Sequence, residues 1–338
     1  MRMRSGMPRP VYDETLTSWL SRLIDLERLD EAQIGEVVKL LASRTNGDID
    51  ALVMCPMLPF VLDPPICEIF KYRFTLPSSP LLAFEDSDVY CAKCLEADIA
   101  AGRAPSWRVS WRIQGICVCT SHSSPVLLRR LETSRFTWKN KAWLAFSEYV
   151  SSPASRLMVD FAISKSVSHS VVTRNLILLS LIYRAQWWKL TKVDRGQIRE
   201  ISPPAVNGFL YICLWQNVEG TGVSGFARQF FRPLRNGIKT PSAHSGVGVS
   251  SLLSQVDMAH LGVAYLMLGI SYGIINRKEA ELVRKFTFSP SWVFPVDRHE
   301  VGLMARQALG SEALMNAHAE IEGSLPKQCF QQIAWVFG

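Results

Sequence analysis

Cys91-x-x-Cys94, followed downstream by Cys119-x-x-His122, is the feature that most limits how this chain can fold. Two short pairs of soft ligands can close a tetrahedral site around one zinc ion, because a two-residue spacer lets a tight turn aim both ligand atoms at the same point. The segment between the pairs is long enough to return as a pair of strands, so a zinc-ribbon module is expected. Four protein ligands leave no coordination position for water or substrate, which makes the expected zinc structural and disfavours a metal-dependent hydrolase. Cys117 lies two residues before Cys119 and would share its face on a strand. The spacing to His122 favours Cys119, and Cys117, inside the apolar run Ile116-Cys117-Val118, reads as core, with the exchange of Cys117 for Cys119 left open. Cys55, Cys67, Cys213 and Cys329 are isolated and read as buried thiols. A nucleobase deaminase would need a His-x-Glu upstream of its Cys-x-x-Cys, and no histidine precedes His122.

The positive charge is concentrated beside this motif. Between Arg103 and Lys141 stand Arg103, Arg108, Arg112, Arg129, Arg130, Arg135, Lys139 and Lys141, against the single acid Glu132, an excess equal to the +7 of the whole 338-residue chain. Trp107, Trp111 and Trp138 are interleaved with them, a mixture that meets phosphates or a protein partner as readily as it packs into a core. Trp107, Val109, Trp111 and Ile113 alternate with Arg108, Ser110 and Arg112, the period-two pattern of a half-buried strand. On that pattern the tryptophans face in and the arginines out. Arg108 and Arg112 are therefore the leading candidates for contact with nucleic acid or a partner, joined by Arg129, Arg130, Lys139 and Lys141.

The rest of the chain reads as helical. Leu16, Trp19, Leu20, Leu23 and Ile24 fall at helical spacing, with Asp13 and Glu14 placed to favour the positive end of that helix. Asp30 can cap a second helix striped by Ile34, Val37, Val38 and Leu41, which gives a helix-turn-helix-like pair. Asp25, Glu27, Glu31 and Glu36 would repel phosphate, so this pair is expected to dock protein. Met54 to Pro80 holds six prolines and reads as a connector with a short helix near Cys67 to Phe70. Beyond the zinc motif, Ala142 to Tyr149 and the apolar stretch from Leu176 to Leu190, with Trp187 and Trp188 as core, are expected helices. Gly220 to Gly248, with Arg228, Arg232, Arg235 and Lys239, reads as a loop with a helix near Phe226 to Phe231. Ala264 to Ser271, a glycine turn and the segment from Ile274 to Arg277 have helix-turn-helix spacing, with Pro290 to Pro295 as a wing and Val301 to Leu309 as a closing helix. An ordinary helical hairpin would have the same periodicity.

The expected fold class is thus mainly α with a small zinc-ribbon β module. It divides into an N-terminal helix-turn-helix-like docking domain over 1–85, a central zinc finger over 86–145 and a helical C-terminal domain over 146–338, with a candidate helix-turn-helix at 257–309. Eight cysteines in a chain of this length, without a basic start leading into an apolar signal segment, suggest a reducing compartment. The most apolar window, Leu261 to Ile275, is shorter than the roughly 20 residues of a spanning helix, and no membrane span is expected. No phosphate-cradling loop, nucleophile elbow or acidic metal triad is present, so an enzyme is not expected.

Tyr90-Cys91-Ala92-Lys93-Cys94-Leu95, then Ser106-Trp107-Arg108, Trp111, Gly115, Cys119-Thr120-Ser121-His122 and Leu127, resembles the TniQ family of transposon targeting proteins. Arg9-Pro10 and the run Asp13-Glu14-Thr15-Leu16-Thr17-Ser18-Trp19-Leu20-Ser21-Arg22-Leu23 resemble the family's opening. Ala92, Thr120 and Ser123 depart from the pattern, where proline, proline and glycine are usual. The second ribbon of some relatives has no cysteines here between Leu128 and Val150. The resemblance implies a bacterial, cytoplasmic adaptor, often a homodimer. It would couple a target selector, such as a CRISPR effector complex with its guide RNA, to an AAA+ transposition regulator (TnsC-like) and the transposase, near target DNA. The rival reading is a stand-alone member that reads a DNA sequence itself (TnsD-like). A zinc-stabilised host DNA-binding regulator is the remaining alternative.

Overall fold

The computed structural model describes residues 8–26, 48, 50, 73–74, 81–84, 86–132, 137, 139–151, 171–215, 226–230, 256–287 and 292–338. The expected second helix around Ile34 to Leu41, the proline-rich connector, Cys55, Cys67, Arg135, Trp138 and most of the 220–248 loop lie outside them. The chain forms two compact units, residues 1–113 with 128–156, and residues 114–127 with 157–338.

In the first unit, helix α1 (Leu16–Asp25) begins where the Thr15 hydroxyl accepts the Ser18 N–H at 3.1 Å. Its spacing buries Leu16, Trp19, Leu20 and Leu23, as the periodicity requires. Asp13 and Glu14 do not serve the helix dipole as expected. Asp13 sits at a positive φ of 62° and accepts from the Ser110 N–H at 3.2 Å, while Glu14 takes both arms of the Arg22 guanidinium at 2.8 and 2.6 Å. Strand β1 (Val89–Tyr90) runs into helix α2 (Ala92–Ala100), and a short 3₁₀ turn spans Val109–Arg112.

That turn replaces the expected strand. In an extended strand Trp107 and Trp111 would be about 13 Å apart, whereas their rings meet edge to face at 5.4 Å. Single antiparallel bridges, Glu14 with Arg108 and Leu81 with Ile113, flank the turn.

In the second unit a small hairpin pairs β2 (Val118–Cys119) with β3 (Val126–Leu127). Back in the first unit, β4 (Arg129–Arg130) pairs antiparallel with β1, and helix α3 (Lys141–Ser151) packs on α2. The second unit is otherwise helical: α4 (Val171–Trp188) widening into a π turn (Lys189–Val193), α5 (Pro203–Leu214), α6 (Met258–Ser271), α7 (Arg277–Phe286), α8 (Arg298–Ser324) and α9 (Lys327–Gln331). Gly310, at φ 71° and ψ 171°, kinks α8, so the expected helix ending at Leu309 is its first half. A 3₁₀ turn over Phe226–Gln229 stands where a helix was expected.

Helix α6 is buried nearly all round and forms the centre of this unit, packed on α4 and α5. Gly262 and Gly269 allow that approach: a Cβ on Gly262 would lie 3.0 Å from Ile182 Cδ1, and one on Gly269 would lie 3.2 Å from Ala185 Cβ. Trp188 is half-buried and Trp187 is 48% exposed, so Trp187 is not core. Cys213 is fully buried, and Cys329 is only half-buried, short of the buried thiol expected. No described helix is long and apolar enough to cross a membrane.

Candidate metal centre

The first ligand pair is built where β1 meets α2. Cys91, in extended conformation, is the N-cap residue of α2, and Cys94 sits in its first turn, where the helix N–H groups favour a thiolate. The second pair is built on the hairpin: Cys119 ends β2 and His122 lies in the turn before β3. The three sulfurs and one imidazole nitrogen lie within 4.8 Å of one another. Cys91, Cys94 and Cys119 are buried and His122 is half-buried. Tetrahedral zinc, with bonds of about 2.3 Å to sulfur and 2.0 Å to nitrogen, needs sulfurs about 3.8 Å apart, so little closure separates this arrangement from a coordinated one. Three thiols and an imidazole, with no carboxylate among them, are the donor set of a soft, closed site. The cluster can hold a metal ion.

Cys117 is outside the cluster. Complete burial pushes its thiol well above the ordinary cysteine range, the behaviour of a core thiol. Its strand is seated by a residue that sequence reasoning missed. Gln186 of α4, fully buried, accepts the Cys117 and Val118 N–H groups at 2.8 and 3.0 Å and donates to the Val118 carbonyl at 2.9 Å, in the manner of a neighbouring strand. Tyr265 of α6 donates to the Gly115 carbonyl at 2.7 Å, and burial pushes its phenol well up. Gly115 itself takes a φ of 76°, open to glycine. A glutamine inside an apolar helix, as in Leu181-Ile182-Tyr183-Arg184-Ala185-Gln186, was the available signal.

Three of the basic residues beside the motif, Arg108, Arg112 and Lys141, are buried, contrary to the exposed face expected, while Arg103 is exposed. Arg108 is 5% exposed and forms two 2.9 Å bonds to Asp98 of α2, which also receives the Ser106 N–H at 3.1 Å. Arg112 is 1% exposed and pairs with Asp48 and Asp50 while donating to the Leu82 carbonyl at 2.7 Å. Burial pushes the Asp50 carboxyl up, and the Arg112 guanidinium works against that shift. Lys141 is also buried. Its ammonium donates to the Phe84 carbonyl and lies 4.3 Å from the Phe84 ring and 4.8 Å from the Trp107 ring. Desolvation lowers its pKa to about 7.

Arg129, Arg130 and Lys139 are half-buried: Arg129 lies over the Tyr149 ring at 5.0 Å, and Arg130 pairs with Asp88. Burial raises Asp88 against the pull of Arg130. The excess of arginine in the sequence therefore builds internal ion pairs, whose partners are acids on other segments.

Fold and cluster together define a mainly helical protein carrying a Cys3His cluster that can hold a metal ion. Residues 6–125 match the TniQ family model, a span that takes in α1, all four cluster residues and both arginines of the buried pairs. This part of the chain carries a TniQ domain. Neither a curated protein nor a solved structure matches the chain.

Proposed function

We propose that this protein is a target-selection adaptor for transposition, a non-catalytic link between a target selector, a CRISPR effector complex with its guide RNA, and an AAA+ regulator that recruits the transposase. The TniQ domain over residues 6–125 carries this reading. The metal is zinc held by Cys91, Cys94, Cys119 and His122, where it supplies a fixed crosslink and no open coordination position. Of the basic residues near the motif, Lys93 and Arg103 are exposed and Arg129, Arg130 and Lys139 keep part of their surface in solvent, so these can meet a partner. The N-terminal part, 1–85, docks protein, the central part, 86–145, is a rigid support, and the helices of 146–338 serve dimerisation or further contacts in the bacterial cytoplasm.

A second reading, a stand-alone reader of a DNA sequence, is favoured by one observation: the first turn of α7, after the glycine turn, exposes Arg277 and Lys278. Affinity capture of the tagged protein from its host, with proteins and nucleic acids identified, separates the two. An AAA+ ATPase recovered with an effector complex and guide RNA supports the adaptor. The ATPase with one recurrent DNA sequence and no RNA supports the stand-alone reader. Neither overturns both in favour of a host regulator.

A further inference from the structure

Three cation-bearing segments of the second unit converge on one aromatic cluster. Trp188, at the end of α4, stacks on Tyr272 of the α6–α7 turn at 5.7 Å. Arg184, one turn earlier on α4, pairs with Glu279 of α7, with one bond of 2.9 Å. Arg298, at the start of α8, lies over the Tyr272 ring at 5.7 Å and the Trp335 ring at 4.4 Å. These contacts bring the π turn and its loop, the first turn of α7 and the first turn of α8 to one end of the unit. That end exposes Lys192, Arg195, Arg199, Arg277, Lys278 and Arg298. The exposed acids on the same segments are Glu200 and Glu281, the latter 3.5 Å from Arg277. Asp194 is held by the buried Lys189 at 3.1 Å, and Asp297 caps the Glu300 N–H at 2.9 Å.

Local contacts account for only part of this placement: Arg298 packs on Tyr272 and Trp335, Arg277 lies beside Glu281, and Lys192 donates to Gln197 at 3.0 Å. Arg277, Lys278 and Arg298 occupy first turns, where the helix dipole disfavours a cation by roughly 0.3–1 kcal/mol each. The Asn276–Glu279 capping box of α7 supplies the acid that the turn needs, and the cations stand beside it. A π turn is itself an uncommon local structure and is frequently found at functional sites. Cations placed against local preference and left in solvent fit an anionic partner with spaced charges. The rings at this end stack on one another or lie under Arg298, so they are engaged with protein and not set out for stacking on bases. That favours contact with a backbone over capture of a single strand.

We infer that this end of the C-terminal unit, formed by the π-turn loop and the first turns of α7 and α8, binds the phosphate backbone of duplex DNA. The choice of DNA as the polyanion rests on the transposition-targeting reading; the site itself lies outside the segment matched to TniQ. The test is fluorescence anisotropy of the full-length protein with a mixed-sequence duplex of about 30 base pairs, from about 50 to 200 mM salt. Each lost phosphate contact lowers the slope of log affinity against log salt by about 0.9. Lys192→Ala/Arg195→Ala/Lys278→Ala should therefore reduce the slope by about 2 to 3 and weaken binding at least tenfold at the lowest salt, with an unchanged thermal transition. Glu281→Gln, which removes an exposed acid, should tighten binding and serves even if the triple variant folds poorly. An unchanged slope in a folded triple variant, or no tightening in Glu281→Gln, overturns the interface. So does loss confined to a single-stranded RNA probe. Transposition partners captured by a variant with wild-type DNA binding would sink this inference alone, and a lost slope without any such partner in the wild-type capture would sink the targeting reading alone.

Discussion

Gln186→Ala tests whether the hairpin that presents Cys119 and His122 is held by α4. The side chain is fully buried and makes three bonds to the backbone of Cys117 and Val118, both themselves buried. Truncation removes three net contributions of about 1 kcal/mol each and leaves two N–H donors and one carbonyl without their partner. Each orphaned group costs about 1–3 kcal/mol unless water reaches it, so a loss of about 3–5 kcal/mol is expected. Urea unfolding followed by circular dichroism gives the stability change, and competition with a chromogenic chelator gives the rate of metal release. Both should move together, because a hairpin that loses its seat presents its two ligands less often. Gln186→Glu is the companion variant: it retains the acceptor but puts a charge in the interior and has no donor for Val118, and should be no more stable than the alanine. Gln197→Ala, on the exposed loop, should change stability by less than about 0.5 kcal/mol. A Gln186→Ala protein within about 1 kcal/mol of wild type, with unchanged metal release, would refute the role given to this side chain.

Cys94→Ser should lower the bound metal measured by atomic emission and destabilise the protein, because ligation and folding are coupled in closed sites; full metal content in the purified variant would remove Cys94 from the ligand set. Arg108→Ala should cost about 2–3 kcal/mol in urea unfolding, since it removes the buried partner of Asp98 and leaves that carboxylate to Arg103 and Ser106, and a near-neutral result would contradict the ion pair. Lys141, with a folded pKa of about 7 against an ordinary value of 10.5, binds fewer protons folded than unfolded across that window. Its contribution should therefore make stability rise as pH increases from 7 towards 10, and Lys141→Met should flatten that rise; an unaltered slope would show that the ammonium is not desolvated.

The metal motif and α1 were legible because each is local. Two ligands separated by two residues report a turn whatever surrounds it, and Leu16, Trp19, Leu20 and Leu23 report one helix face. The basic face was misread because its determinants are not local. Arg108 is neutralised by an acid ten residues earlier on α2, and Arg112 by Asp48 and Asp50, more than sixty residues away. The alternation from Trp107 to Ile113 looks like a strand only if the arginines face water; once they are buried, both sets of side chains point into protein and period two loses its meaning. Trp187 erred in the opposite sense, an aromatic residue in an apolar run that is 48% exposed and stacks on Tyr183.

The same logic separates the two clusters of positive charge. Near the metal motif, charge is dense in sequence and largely paired in space, so its density says more about the ion pairs of the first unit than about a ligand. In the second unit the cations are scattered over segments more than a hundred residues apart, from Lys192 to Arg298, and no window of the sequence would have collected them. Packing of Trp188 on Tyr272 and of Arg298 on both Tyr272 and Trp335 brings them together, and the cationic residues remain exposed. A surface that only the fold assembles, against the local preference of two helix starts, is better support for a polyanionic partner than a longer run of arginines in the sequence.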